Sequence, residues 1–277
     1  MNLPKRIINV QIGNGEGTAL SIGTSERNST YIQMEIMKNI SSKVNEGVVR
    51  MFNLSDSTEN QIREKGKRVR VFAGYNGKPI LIHDGEITRV DRDPDEESLN
   101  RITSVSLAGK LIKISQSIFN KAYSGQVAVK QIVQDAIPTF GLDYADIDQI
   151  PDNEFLNDYS FTGKTSDLLD EILDPIKIQW FENDNFIRFS AREKTPETTE
   201  SVVLLNSNTG LIGSASITEK GAKFTSRLNG RITLNSQIKI ESNLVNGVYK
   251  VIQTLNSGDN RTGKFTTEGI VTNIVQS

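Results

Sequence analysis

The chain has 277 residues, a formal net charge of −2 and no cysteine. These values exclude a disulfide framework, a thiolate metal site and a cysteine nucleophile, and they provide no overall positive field for nucleic acid or an anionic membrane. The absence of cysteine fits assembly in a reducing cytoplasm. The length predicts two or three domains, since domains of about 150 residues are typical. No run approaches the roughly 18 apolar residues of a membrane span, and the first residues lack an apolar segment, so we expect neither membrane insertion nor a signal peptide.

Residues 1–112 are predicted to form β-strands, because apolar and polar residues alternate there with a period of two. Asn76-Gly77 separates two of the runs and predicts a tight hairpin, since both residues tolerate the positive φ of a primed turn. The alternating runs are Ile8–Ile12, Ile32–Ile36, Val69–Val71 and Val105–Leu107, and Val48–Phe52 is expected to be a strand that is covered on both sides.

One short helix is predicted to interrupt this β region. Ser55 or Asp56 can cap its start, and Gly66 can end it. The segment between them is mostly polar. We expect Leu54 and Ile62 to hold one face of the helix against the sheet.

Residues 113–199 are predicted to form a small α/β unit of two helices and a hairpin. Apolar residues recur at helical spacing in two segments, and a proline follows each. The elements are a helix over Ala128–Ile137 that ends at Pro138, a helix over Leu168–Leu173 that Thr165 or Ser166 caps and Pro175 ends, and a hairpin that turns at Glu182–Asn185.

Residues 200–277 return to β patterns after a polar linker over Glu193–Ser201. The succession strand, Asn-Gly, apolar strand and acidic turn follows Val69 and occurs again after Ile238, where Asn246-Gly247 provides the dipeptide. This repetition predicts two related hairpins, and an internal duplication is our hypothesis for it. The predicted strands are Val202–Leu205, Ala215–Ile217, Ala222–Phe224, Arg231–Leu234, Gln237–Ile240, Val248–Leu255 and a final run to Val275.

Two motifs raise the question of catalysis or ligand binding. Gly13–Gly17 is rich in glycine but lacks the Lys-Ser/Thr of a phosphate-binding loop, so a hairpin or bulge is the better interpretation. His83 is the sole histidine, which excludes a histidine-rich metal site. Its place in an alternating run predicts a position on the surface of a strand. We therefore expect no metal and no cofactor, and we assign no catalytic residue.

Carboxylates are plentiful, and counting them does not exclude an acid pair of the kind that cleaves glycosides. The densest group, Asp91–Glu97, contains Pro94 and is predicted to be a solvated loop between two strands. A second group, on the polar side of the Leu168–Leu173 helix, and the basic segment Arg63–Arg70 are also interpreted as solvated surface. A cell-wall hydrolase with paired carboxylates stays an alternative. So does a carbohydrate- or protein-binding β module, although Trp180, the sole tryptophan, is expected in the core.

Several ordered motifs resemble central baseplate hub proteins of contractile-tailed phages. Asn53-Leu54-Ser55 precedes a strand over Val69–Tyr75, and Gly85-Glu86-Ile87 follows the hairpin, as in the first domain of that family. The segments 165–189 and 209–259 are similar to its middle helix and hairpin and to its last β domain. Leu228-Asn229-Gly230 and Asn256–Asp259 depart from the family there, because they lack its usual proline and histidine.

The resemblance implies a mainly β fold with a small α/β part, in which two tail-tube-type β-barrel domains, 1–112 and 200–277, flank the α/β domain 113–199. It implies a structural hub without an active site, in the tail baseplate of a virion assembled in the host cytoplasm. A homotrimer would contact the tail tube protein, the central spike protein and other baseplate proteins. The base of a type VI secretion spike is similar. Candidate partner contacts are Asp93, Asp95, Glu96 and Glu97.

Overall fold

The computed structural model describes residues 4–13, 20–23, 29–40, 45–63, 68–94, 100–192 and 202–274. Within these ranges most of the regular structure is β, as the sequence predicted. Only Gly13 of the Gly13–Gly17 motif is among the described residues, and the linker Glu193–Ser201 lies wholly outside them. Both interpretations stay predictions.

The described residues of the first region form seven strands and one helix. Its strands bury alternate residues, as in β3, where Ile32, Met34 and Ile36 face the core. Asn76 and Gly77 have φ of 53° and 78°, which confirms the predicted primed turn. The elements are β1 (Arg6–Gly13), β2 (Leu20–Gly23), β3 (Ile32–Asn39), β4 (Glu46–Phe52), α1 (Asp56–Ile62), β5 (Arg68–Tyr75), β6 (Lys78–Pro94) and β7 (Arg101–Ala108).

Two features of this region refine the sequence predictions. The Ser55 hydroxyl accepts a hydrogen bond from the Thr58 N–H at 3.2 Å and caps α1, which ends at Ile62. The predicted end, Gly66, lies outside the described residues. The acidic segment was predicted to be a loop, but its first four residues, Asp91–Pro94, extend β6 because they pair with β7.

The middle region contains the two predicted helices and the predicted hairpin, and a short helix, α2, that the sequence analysis missed. Thr165 and Ser166 were wrong as caps: both lie buried inside α4, which starts without a side-chain cap. The elements are α2 (Leu111–Gln116), β8 (Ile118–Ala122), β9 (Gln126–Ala128), α3 (Val129–Ala136), β10 (Asp143–Ala145), β11 (Phe155–Asn157), β12 (Ser160–Lys164), α4 (Thr165–Leu173), β13 (Ile178–Asn183) and β14 (Phe186–Ala191).

The last region has six strands among the described residues. Arg231–Leu234 was predicted to be a strand but has no regular structure, although Ile232 and Leu234 are buried. Asn246-Gly247 begins a strand, and the turn before it is closed by Ser242 and Val245. The strands are β15 (Val203–Leu205), β16 (Ser216–Thr218), β17 (Gly221–Arg227), β18 (Gln237–Glu241), β19 (Asn246–Asp259) and β20 (Phe265–Asn273).

The strands of the first and last regions form one hydrogen-bonded sheet in the order β16-β17-β20-β19-β3-β4-β7-β6-β5-β1-β2. In addition, β18 pairs with β19, and β15 pairs with β18. β3 and β19 join the two regions, because Gln33–Asn39 pairs antiparallel with Gln253–Asp259. The two regions are therefore not separate sheets, contrary to our expectation. Closure of each region into a barrel stays a prediction.

The two halves of the sheet repeat one topology. The order β3-β4-β7-β6-β5 in the first half matches β16-β17-β20-β19-β18 in the second. In each half a long strand pairs first with its hairpin partner and then continues beside another strand: β6 pairs with β5 and continues along β7, and β19 pairs with β18 and continues along β20. A one-residue bulge follows this change, at Thr88 in β6 and at Ile252 in β19. A shared strand order with a shared bulge supports the duplication hypothesis, since bulges are specific local features.

Each region has its own hydrophobic cluster, and a fourth, small cluster lies where the regions meet. Ile40 of the first region, Phe181 of the middle region and Leu234 of the last region are all buried there, and Ile252 packs against them. The carbonyl of Ile252, the bulge residue of β19, accepts a hydrogen bond from the Ile40 N–H at 2.9 Å. All three regions therefore share one apolar contact.

Candidate assembly site

The β13–β14 hairpin joins the middle region to the first half of the sheet. Its turn residues Asp184 and Asn185 have φ of 51° and 80°. Lys38, on the inward face of β3 and only 4% exposed, donates to the Asp184 carboxylate at 2.5 Å and to Asn183 Oδ1 at 3.2 Å. The other Asp184 oxygen accepts from the Asp84 N–H at 3.0 Å. The hairpin turn is thus held by a buried ion pair.

The ionic contacts continue along the sheet surface. The Asp84 carboxylate accepts hydrogen bonds from Arg68 at 2.7 and 2.5 Å and from Arg70 at 3.1 Å. Burial acts to raise the pKa of Asp84, but hydrogen bonds from the two guanidinium groups outweigh it and the pKa is lowered. Asp84 therefore stays charged and holds two arginines beside the hairpin.

His83 is buried, not on the strand surface as predicted. A register shift between Val71 and Phe72 places a bulge near Ile82, so the inward-outward alternation of β6 fails there. The hairpin turn also packs against this part of the strand. Burial, and then the charge of Lys38, lowers the pKa of His83 to about 4. The imidazole is therefore neutral at pH 7.

Glu182 is the most buried acid of the junction. Its backbone carbonyl accepts from Asn45 Nδ2 at 2.9 Å, and its carboxylate accepts from the Asn185 N–H at 3.1 Å. Burial raises the pKa of Glu182 to about 7; the Asn185 N–H, Lys38 and Lys110 oppose this rise, and Asp184 adds to it.

Glu182 is expected to make stability depend on pH. Its folded pKa is raised, so its stabilising contribution is present below about pH 4.5 and is lost as the pH rises through about 7. Glu182→Gln should therefore gain about 1–3 kcal/mol of unfolding free energy relative to wild type between pH 4.5 and pH 8. His83 has the opposite effect between about pH 4 and 6.5, and it cancels in the comparison because both proteins contain it. Urea titrations at both pH values measure the difference. The exposed Glu46→Gln is the control, and an equal change in both variants would contradict the assignment.

The same hairpin contacts the second half of the sheet at its other end. Lys250 of β19, 2% exposed, donates to Ser190 Oγ at 2.8 Å and to the Ala191 carbonyl at 2.7 Å. The Ser190 hydroxyl donates to Asn235 Oδ1 at 2.7 Å. Burial lowers the pKa of Lys250 to about 8. One hairpin therefore bridges the two halves of the sheet on either side of the shared apolar cluster.

The candidate partner contacts are only partly visible. Asp93 is a residue of β6 whose backbone pairs with Ile102, whereas Asp95, Glu96 and Glu97 lie outside the described residues. Their role in partner binding stays a prediction. The junction residues Lys38, Glu182, Asp184 and Lys250 were missed, although the alternation of β3 already places Lys38 on the same face as Ile32, Met34 and Ile36.

A groove of about 1080 Å³ lies between the two halves of the sheet. It is mainly basic, with a single carboxylate, Glu268, among its described lining residues. The basic lining residues are Lys5, Arg6, Arg227, Arg261 and Lys264. A glycosidase needs two carboxyl groups across the scissile bond.

The described part of the chain also has no group of three or more His, Asp or Glu residues placed to hold a metal ion. No described helix is both long and apolar enough to cross a membrane. Trp180 is buried, as predicted.

Comparison with known proteins gives one family match and several similar folds. A family model described as baseplate hub gp41 matches residues 18–270. No curated protein sequence matches the chain. The 43 kDa tail protein of prophage MuSo2 from Shewanella oneidensis is 12% identical with a TM-score of 0.60, over 97% of this chain and 96% of that one. The tail protein from Neisseria meningitidis MC58 is 8% identical with a TM-score of 0.65, over 97% of each chain.

A third similar structure is the c3393 protein of E. coli, described as a component of the type VI secretion system with structural similarity to the T4 bacteriophage tail proteins gp27 and gp5. It is 13% identical with a TM-score of 0.54, over 90% of this chain and 73% of that one. At such low identities these three structures show a shared fold alone.

Proposed function

The chain belongs to the baseplate hub gp41 family, so it is a structural component of a phage tail, and we propose that it is a trimeric adaptor between the sixfold tail tube and the threefold central spike. The observation that carries this proposal is the repeated topology of the sheet. Three copies with two similar units each present six units around one axis. Such a ring is threefold by symmetry and nearly sixfold in shape, so one face suits the tube and the other the spike.

The contacts between the two halves of the sheet support this role. An adaptor transmits force between tube and spike, so its two halves must hold a fixed relative position. Three kinds of contact hold that position: backbone pairing of β3 with β19, the apolar cluster around Phe181, and the two buried polar contacts of the β13–β14 hairpin. The middle region would lie outside the ring, where it can contact neighbouring copies or other baseplate proteins. The acidic segment that contains Asp93, Asp95, Glu96 and Glu97 is a candidate for such a contact.

The proposal further states that the chain has no catalytic activity of its own and assembles in the host cytoplasm before joining the virion. The hydrolase alternative requires cleavage of purified peptidoglycan that is lost when a named carboxylate is replaced.

Particles made without this chain test the adaptor role. We expect tubes and spikes that are both synthesised but not joined, because no other surface would match the two symmetries. Electron microscopy and composition analysis of particles from a host that expresses a truncated gene would show this, with complementation by the full chain as the control. Complete baseplates with an attached spike in the absence of the chain would contradict the proposal.

A further inference from the structure

The chain contains one junction between two repeated units. At this junction β3 of the first unit pairs with the second part of β19, in the register Met37 to Leu255, Ile36 to Asn256 and Glu35 to Ser257. This edge of β19 is open to β3 because β18 pairs with β19 only from Asn246 to Lys250.

Among the described residues, the corresponding edges are unpaired at the outer ends of the two units. The second part of β6, from Arg89 onward, pairs with β7 on one side, and no described strand pairs with its other side. β16, the counterpart of β3, pairs with β17 on one side, and no described strand pairs with its other side either. The chain therefore has both halves of a second junction, at opposite ends, and they do not meet within one copy.

Counting residues from the two bulges gives the register of that second junction. Leu255 lies three residues beyond the bulge at Ile252, and Asp91 lies three residues beyond the bulge at Thr88, so these two residues correspond. Met37 and Thr218 correspond because the same succession of strand pairs connects each of them to the residue two positions before a bulge. We propose that β16 of one copy adds to the free edge of β6 in the next copy, antiparallel, with Thr218 opposite Asp91, Ile217 opposite Arg92 and Ser216 opposite Asp93. This inference rests on the proposed ring and identifies the strands that close it.

Exposure supports this pairing. Ile217, in the middle of β16, is 72% exposed, whereas its counterpart Ile36 is fully buried at the internal junction. An unpaired strand edge with an exposed isoleucine is a template for strand addition by another chain. A second copy covers both the edge and the side chain.

The contact is heterologous, since two different strands meet. Repetition of this contact can close into a ring, in which the internal junctions alternate with the junctions between copies.

Cysteine cross-linking tests the register directly, because the natural chain has no cysteine. Directly opposite residues on antiparallel strands have Cα separations of about 4.5–5.5 Å, within the range of a disulfide. Thr218→Cys/Asp91→Cys should link neighbouring copies in oxidised, purified baseplates, and the ladder on a non-reducing gel should end at three chains. Met37→Cys/Leu255→Cys, the matched pair at the internal junction, should link within one chain and leave its mass unchanged. Thr218→Cys/Arg89→Cys, out of register, should link at least tenfold less.

The outcomes separate this inference from the proposed function. Baseplates with three copies on the axis, in which the internal pair links and the Thr218–Asp91 pair does not, would overturn the strand pairing and leave the adaptor role intact. Equal linking of the out-of-register pair would also overturn it. A ladder that ends at six chains would support the pairing and contradict the threefold ring. Should Thr218→Cys/Asp91→Cys fail to assemble, Ser216→Cys/Asp93→Cys tests the same register, and its failure to link in assembled baseplates counts against it.

Discussion

Replacement of Lys38 by Met is expected to lower the unfolding free energy by about 3 kcal/mol at pH 7, because it leaves the partly buried Asp184 carboxylate without its cation. The methionine keeps the length and apolar stem of the lysine, so little packing is lost. The Asp84 N–H still donates to Asp184, but a single neutral donor does not offset the loss of the ion pair. Urea denaturation followed by circular dichroism measures the change.

Two variants isolate this effect from the loss of a surface charge. Lys121→Met removes an exposed ion pair with Asp135, and we expect a cost below about 1 kcal/mol. Lys38→Met/Asp184→Asn removes both charges of the buried pair and should recover at least half of the loss. Equal destabilisation by Lys38→Met and Lys121→Met would show that the hairpin turn does not depend on the buried ion pair.

Phe181→Ala is expected to cost about 3–5 kcal/mol, because Phe181 is fully buried and its removal leaves a cavity where the three regions meet. It should also uncouple those regions. Fluorescence of Trp180, the sole tryptophan, reports the middle region, and far-ultraviolet circular dichroism reports mainly the sheet. The two unfolding curves should coincide in the wild type and separate in the variant.

Phe186→Ala is the matched control for Phe181→Ala, since Phe186 lies on the same hairpin but is 41% exposed. We expect a cost of at most about 1 kcal/mol and coincident unfolding curves. If Phe181→Ala unfolds in one transition with a similar small cost, the apolar cluster does not couple the regions.

The sequence was sufficient for most elements of regular structure, because each has a local cause. Alternation predicted β3 and β5, and Asn76-Gly77 predicted the turn between β5 and β6 from positive φ alone. Alternation failed at Arg231–Leu234, although burial there follows a period of two. Arg231–Leu234 buries Ile232 and Leu234 as a strand would, yet turns instead of pairing.

The junction between regions was harder to predict, because it depends on contacts distant in the sequence. Lys38 pairs with Asp184, and β3 pairs with β19, across more than half of the chain. Nothing local identifies the partner in either contact. The burial of His83 has the same origin, since a bulge and a distant hairpin turn together cover the strand. A lysine on the apolar face of β3 was the one available local signal.

The central claim is a threefold ring on the tail axis, and a cryo-electron microscopy map of intact baseplates, reconstructed without imposed symmetry, tests it most directly. Our account predicts three copies of this chain between tube and spike, with six repeated units around the axis and β16 of each copy beside β6 of the next. Six copies in the ring, or a position away from the axis, would contradict it.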